Sequence, residues 1–186
     1  MKQKMISVTL FLLTGLLTSA AAYRFSGNRT LFSAAVTFGT AFYHFAVRLA
    51  VGLLIDARYH NRMDYTRKWF RERAFEPKLY QKIGVKKWKK RLPTFSPQEF
   101  NLKSRSVAEV VQATCQSEVV HEVNMALSFI PAVFSLWFGS LDVFLLTSCA
   151  AFLFDSIFVI MQRYNRPRLM RLLEKQGLSR NSHNEQ

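Results

Sequence analysis

At 186 residues the chain has room for one domain. Lysine and arginine outnumber the acidic residues 26 to 12, for a formal charge of +14, yet 49% of the residues are hydrophobic. The apolar residues come in blocks beside basic blocks, the pattern of a membrane protein on an anionic cytoplasmic leaflet, which makes nucleic acid the weaker reading of the charge.

The first 23 residues run from a Lys2/Lys4 start through an apolar core to Ala20-Ala21-Ala22. A cleaved signal peptide has this form, and so does a bilayer-spanning helix. A span over about 6–23 is the preferred reading, because a second apolar segment, 30–55, follows at once and the two can form a helical hairpin through the Gly27-Asn28 turn. The second segment carries His44 and Arg48, one helical turn apart on one face.

Residues 56–122 hold 15 of the 26 Lys/Arg residues. From Arg58 to Phe70 charge alternates with aromatics, which predicts a helix on the membrane surface, broken at Pro77. The basic run that follows is interrupted by Trp88 and leads to Pro93 and Pro97. Helical spacing returns from Ser106 and leads into a third span, 123–138, with Pro131 as a kink. Gly139-Ser140 forms a turn, and 141–161 is the fourth span, carrying Asp155. A basic amphipathic helix over 166–176, ended by Gly177, and a disordered tail complete the chain. The expectation is an all-α, polytopic membrane protein in one membrane domain. It has about four transmembrane helices and a basic cytoplasmic helical region between spans two and three. The positive-inside bias places both termini in the cytoplasm.

Arg48 lies eight residues before Asp56, and Asp155 eight before Arg163. At about 1.5 Å per residue both sit about 12 Å inside the cytoplasmic boundary, so an Arg48–Asp155 pair is expected. Glu118 and His121 share a helix face at i,i+3, where a carboxylate can orient an imidazole that takes a proton. The same spacing also describes an ordinary solvated helix-surface pair. It is half of a carboxylate-bridged metal motif too, but no second copy is present. Cys115 and Cys149 form no short-spaced pair, and the four histidines are scattered, so no metal and no disulfide framework is expected.

The ending Gln162-Arg163-Tyr164-Asn165-Arg166-Pro167-Arg168-Leu169, directly after an apolar helix, resembles that of the glycosyl-4,4'-diaponeurosporenoate acyltransferases of staphyloxanthin-type carotenoid synthesis. Gly84-Val85-Lys86-Lys87-Trp88-Lys89 is similar to the family's basic-Trp-Lys block, and Glu118 with His121 to its E-[apolar]-x-H block. Tyr43-His44-Phe45 and Arg48-Leu49 match less clearly, and Asp155 departs from the uncharged residue expected there. The resemblance implies transfer of a fatty acyl group to a sugar hydroxyl of a carotenoid glycolipid in the cell membrane. His121, oriented by Glu118, is then the catalytic base. Arg163, Tyr164, Asn165, Arg166, Arg168, Lys87, Trp88, Lys89, His44 and Arg48 are the expected substrate-binding residues. No cofactor is implied beyond an acyl thioester such as acyl-CoA as co-substrate. The implied partners are membrane lipids, the acyl donor, the glycosylated lipid acceptor and other enzymes of the pathway, with no nucleic acid. The competing reading is a non-catalytic scaffold whose basic segments hold anionic lipid headgroups.

Overall fold

The computed structural model describes residues 2–92 and 96–184, with side chains through residue 177. Among them there is no strand. The helices are α1 (Lys2–Ser26), α2 (Arg29–Tyr59), α3 (Glu76–Lys82), α4 (Val85–Trp88), α5 (Val107–Leu127), α6 (Ile130–Phe138) and α7 (Leu141–Asn184). Four stretches are helical, long and apolar enough to cross a membrane: Lys2–Ser26, Arg29–Tyr59, Val107–Phe138 and Leu141–Gly177. The protein is a helical membrane protein.

The chain resolves into two compact units, one of residues 1–54 and 122–155, the other of 55–121 and 156–186. In the first unit α1 and α2 approach closely. A Cβ on Gly15 would stand 2.6 Å from the Phe38 ring, so glycine is what permits the contact. Aromatic pairs add to it: Phe11 with Phe38 at 6.3 Å, Tyr23 with Phe32 at 5.2 Å and Phe32 with Phe138 at 6.2 Å. Tyr43 donates from its hydroxyl to the Leu127 carbonyl at 2.9 Å. The expected pair forms here: Arg48 Nη2 lies 2.5 Å from Asp155 Oδ2 and also donates to the Ala151 carbonyl at 3.1 Å. Leu10, Leu17, Leu54, Leu136, Trp137 and Leu146 are exposed on the protein, as side chains facing hydrocarbon are.

The second unit departs from the sequence expectation in three places. No surface helix covers 58–70. Instead α2 runs to Tyr59, His60 and Asn61 take left-handed φ values of 49° and 57°, and only Lys68–Phe70 forms a short 3₁₀ turn. The cause is internal packing. Met63 and Phe70 are buried with Cys115, against Ile55, Tyr65 and Val119, so their apolar groups meet protein instead of lipid. The Asn61 N–H donates to Gln116 Oε1 at 2.7 Å, and Gln116 Nε2 donates to Asp56 Oδ1 at 3.0 Å, pinning the turn to α5.

Pro77 does not end a helix but stands in the first turn of α3, where its missing N–H would have had no helical partner. The separate helix over 166–176 is absent as well. Helix α7 continues through Pro167 and past Gly177 to Asn184. Pro93 lies outside the described residues. Helix α5 begins as its sequence indicates: Ser106 N–H donates to Glu109 Oε2 at 2.8 Å and Glu109 N–H to Ser106 Oγ at 3.3 Å, a reciprocal cap. The break at Ser128-Phe129 before Pro131 divides α5 from α6 where a kink is expected.

Candidate active site

The second unit is built around a buried carboxylate. Glu118, on α5, is fully buried. Arg163 Nη1 donates to its Oε1 at 2.6 Å, and Arg166 Nη2 donates to its Oε2. Arg163 and Arg166 are three apart on α7, so both reach α5 from one face. Arg163 Nε also donates to Glu76 Oε1 at 2.7 Å, and its Nη groups reach the carbonyls of Trp69 at 3.2 Å and Arg71 at 3.1 Å. Arg166 donates to Thr114 Oγ1, the Thr114 carbonyl and the Phe70 carbonyl, and lies 5.0 Å over the Phe70 ring. Two guanidinium groups and two carboxylates thus neutralise one another inside the unit, and the carbonyls complete the arginine donors.

This network alters the roles read from sequence. Arg163 and Arg166 have interior partners on every nitrogen, so they hold α5, α7 and the 68–76 segment together. Both oxygens of Glu118 receive these arginines. The His121 ring, one turn further along α5, stacks on Phe158 with centroids 4.7 Å apart and an interplanar angle of 11°. Gln162 Nε2 donates to Ser117 Oγ at 3.0 Å on the neighbouring turn.

Beside the buried quartet lies a cationic, aromatic surface. Arg168 donates to the Tyr164 hydroxyl at 2.6 Å, and its guanidinium lies 4.2 Å from the Tyr164 ring centre. Lys89 Nζ lies 4.8 Å from the same ring centre and donates to Asn165 Oδ1 at 2.5 Å. Asn165 is oriented by that bond, which leaves its amide N–H groups to donate elsewhere. Among the described residues neither Lys89 nor Arg168 forms an ion pair. Burial, then Arg168 and Lys90 nearby, pull the Lys89 pKa below the usual lysine range. Two cations thus share one ring without a carboxylate, an arrangement whose chemistry suits an anion.

The local backbone explains how Lys89 arrives there. Gly84 takes a left-handed φ of 63° and turns the chain from α3 into α4. Trp88 Nε1 donates back to the Ile83 carbonyl at 3.0 Å and fixes the turn, while Lys87 is exposed. Tyr80, buried on α3, packs edge-on against Tyr164 at 5.8 Å. Burial, then the Glu76 charge, push its phenol well above the usual range, so it stays neutral.

Of the residues singled out in the sequence, this unit gathers Glu118, Arg163 and Arg166 in the quartet, and Lys89, Tyr164, Asn165 and Arg168 at the surface. His44 and Arg48 belong to the first unit. Glu76 was not singled out. Its one signal is an acidic residue in the first turn of a helix opened by Pro77.

The fold and site define a helical membrane protein with a cationic, aromatic surface beside a buried charge framework. A family model for glycosyl-4,4'-diaponeurosporenoate acyltransferase matches residues 66–175, and the chain belongs to this acyltransferase family. All three blocks that carry the sequence resemblance lie within that range; His44 and Arg48 lie outside it. No curated protein and no solved structure matches the chain.

Proposed function

We propose that the protein transfers a fatty acyl group from an acyl thioester to a sugar hydroxyl of a glycosylated carotenoid or similar membrane glycolipid, at the cytoplasmic face of the cell membrane with both termini inside. The observation that carries this reading is the Lys89–Tyr164–Asn165–Arg168 surface in a member of an acyltransferase family. A thioester donor such as acyl-CoA has a phosphate-bearing head. Lys89 meets a phosphate as a point charge, and Arg168 can meet it with two parallel N–H donors.

His121 serves as the base. It takes the proton of the sugar hydroxyl as the oxygen attacks the thioester carbonyl. The C–O bond forms, the tetrahedral intermediate collapses, the C–S bond breaks, and the thiolate leaves to be protonated by the imidazolium. General-base help of this kind is worth about 10²–10⁴-fold. The amide N–H groups of Asn165 are suited to the oxyanion, at roughly 10²–10³-fold per donor. Glu118 supports the reaction by holding Arg163 and Arg166, and with them the turn of α7 that presents Tyr164, Asn165 and Arg168.

The test is acyl transfer by purified protein carrying His121→Gln or Asn165→Ala, each checked for retained folding. A transferase loses at least about 100-fold in turnover with either change. A headgroup-binding scaffold tolerates both and binds anionic vesicles as before, and that result rejects the enzyme reading.

A further inference from the structure

The first unit contains buried polar atoms that its ion pair does not explain. His44 on α2 is 8% exposed and Ser148 on α7 is fully buried. Neither ring nitrogen of His44 has a hydrogen-bond partner, and neither does Ser148 Oγ. Both lie in helices long and apolar enough to cross a membrane, where an unmet polar group is costly because hydrocarbon offers no replacement partner.

Arg48 brings the two residues into register. Its Nη1 folds back to the His44 carbonyl at 2.6 Å, while its Nη2 reaches the Ala151 carbonyl at 3.1 Å. Ala151 is therefore level with the His44 turn, and Ser148 stands one turn before Ala151 on the same face of α7. In a chain of alternating spans the second and fourth run in the same direction. Side chains lean toward the helix N-terminus, so His44 reaches toward the level of Ser148. The Tyr43 ring meets the His44 ring edge-on at 5.6 Å and closes one side.

We propose that His44 and Ser148 form an intramembrane site for one neutral hydroxyl group, supplied by a lipid-borne alcohol or by water. The chemistry selects this ligand. Arg48 is already matched by Asp155, so no net charge is left to receive an ion. An apolar group would leave the imidazole and the serine unmet. A hydroxyl both donates and accepts, as do a neutral imidazole and a serine, so it can meet one His44 nitrogen and Ser148 Oγ together. The site lies in the first unit and uses none of the residues assigned to the acyl-transfer step, although the family resemblance places His44 and Arg48 among the substrate-binding residues.

The experiment is nitrogen-15 NMR of histidine-labelled full-length protein in lipid nanodiscs, with 1-dodecanol and dodecane as probes. The His44 signal is assigned by its loss in His44→Phe, or by its shift in Ser148→Ala where the first variant does not fold. A His44 shift with dodecanol and none with dodecane identifies a lipid alcohol as the ligand. No dodecanol shift, but magnetisation transfer from water to the His44 ring, identifies water. Equal responses to both probes, or neither a dodecanol shift nor water transfer, overturns the site. The His121 signal is separate, so its behaviour does not enter the outcome.

Discussion

Replacing Glu118 by glutamine tests the charge framework beneath the site. The change keeps the shape of the side chain and removes one charge from a fully buried group that faces two arginines. The two arginines are not affected equally. Arg163 retains Glu76 as a counter-charge at 2.7 Å, whereas Arg166 is left with Thr114 and the Phe70 carbonyl, which are neutral. Arg166 is also the more buried, at 2% exposure. Removing one partner of a buried pair costs about 3–5 kcal/mol, because the remaining charge has no counter-ion. At 2–4 °C per kcal/mol for a chain of this size, the thermal midpoint should fall by roughly 6–20 °C. The assay is thermal unfolding in detergent, run beside acyl transfer at a temperature where the variant is folded. The double variant Glu118→Gln/Arg166→Met removes the stranded charge and should recover part of the midpoint. If Glu118→Gln unfolds within about 1 °C of the wild type yet loses turnover, the carboxylate acts on His121 and not on the arginines, and the framework is refuted.

Lys89→Ala should raise the KM for an acyl-CoA donor by about tenfold or more with a smaller change in kcat, since a charged hydrogen bond to phosphate contributes about 1.5–3 kcal/mol; steady-state kinetics at varied donor concentration decides it. Because the Lys89 pKa is lowered, its ammonium is full at acid and neutral pH and is lost on the alkaline side earlier than an ordinary lysine's. Donor KM should therefore begin to rise below about pH 10.4, and Lys89→Arg should move that rise to higher pH. In the first unit, Asp155→Asn leaves Arg48 without its counter-charge and should destabilise by about 3–5 kcal/mol, with Arg48→Met/Asp155→Leu recovering most of the loss in thermal unfolding. Gly15→Leu pushes a side chain into the Phe38 ring and should cost about 1–3 kcal/mol by the same measurement, while Gly27→Ala, with open space around it, strains only its turn.

The spans were legible because hydrocarbon imposes long apolar helices, and the Arg48–Asp155 pair because equal depth and opposite charge leave few alternatives. The start of α5 was legible from the helical spacing that returns at Ser106, and the structure shows Ser106 and Glu109 capping it. The 58–70 segment was misread because alternating charge and aromatics do not say which surface receives the rings; Phe70 and Met63 turn to Cys115 instead of lipid. The span over 141–161 and the helix over 166–176 are expected as separate elements, but α7 runs unbroken through both while Arg163 and Arg166 tie its turns to α5.

The family block alone could not divide its arginines. Arg163, Arg166 and Arg168 look alike in sequence. Helical spacing together with two distant acids, Glu76 and Glu118, turns the first two inward and leaves the third beside Tyr164. Glu76 lies 87 positions before Arg163, too far for any spacing rule to join them.

Acyl transfer itself can be measured by supplying purified wild-type protein with labelled acyl-CoA and a glycosylated carotenoid, and following the label by chromatography and mass spectrometry. Wild type should form an ester on a sugar hydroxyl, and a folded His121→Gln variant should form none. Ester formation at the wild-type rate by that variant, or no transfer by the wild type from either acyl-CoA or acyl carrier protein, would contradict acyl transfer with His121 as the base.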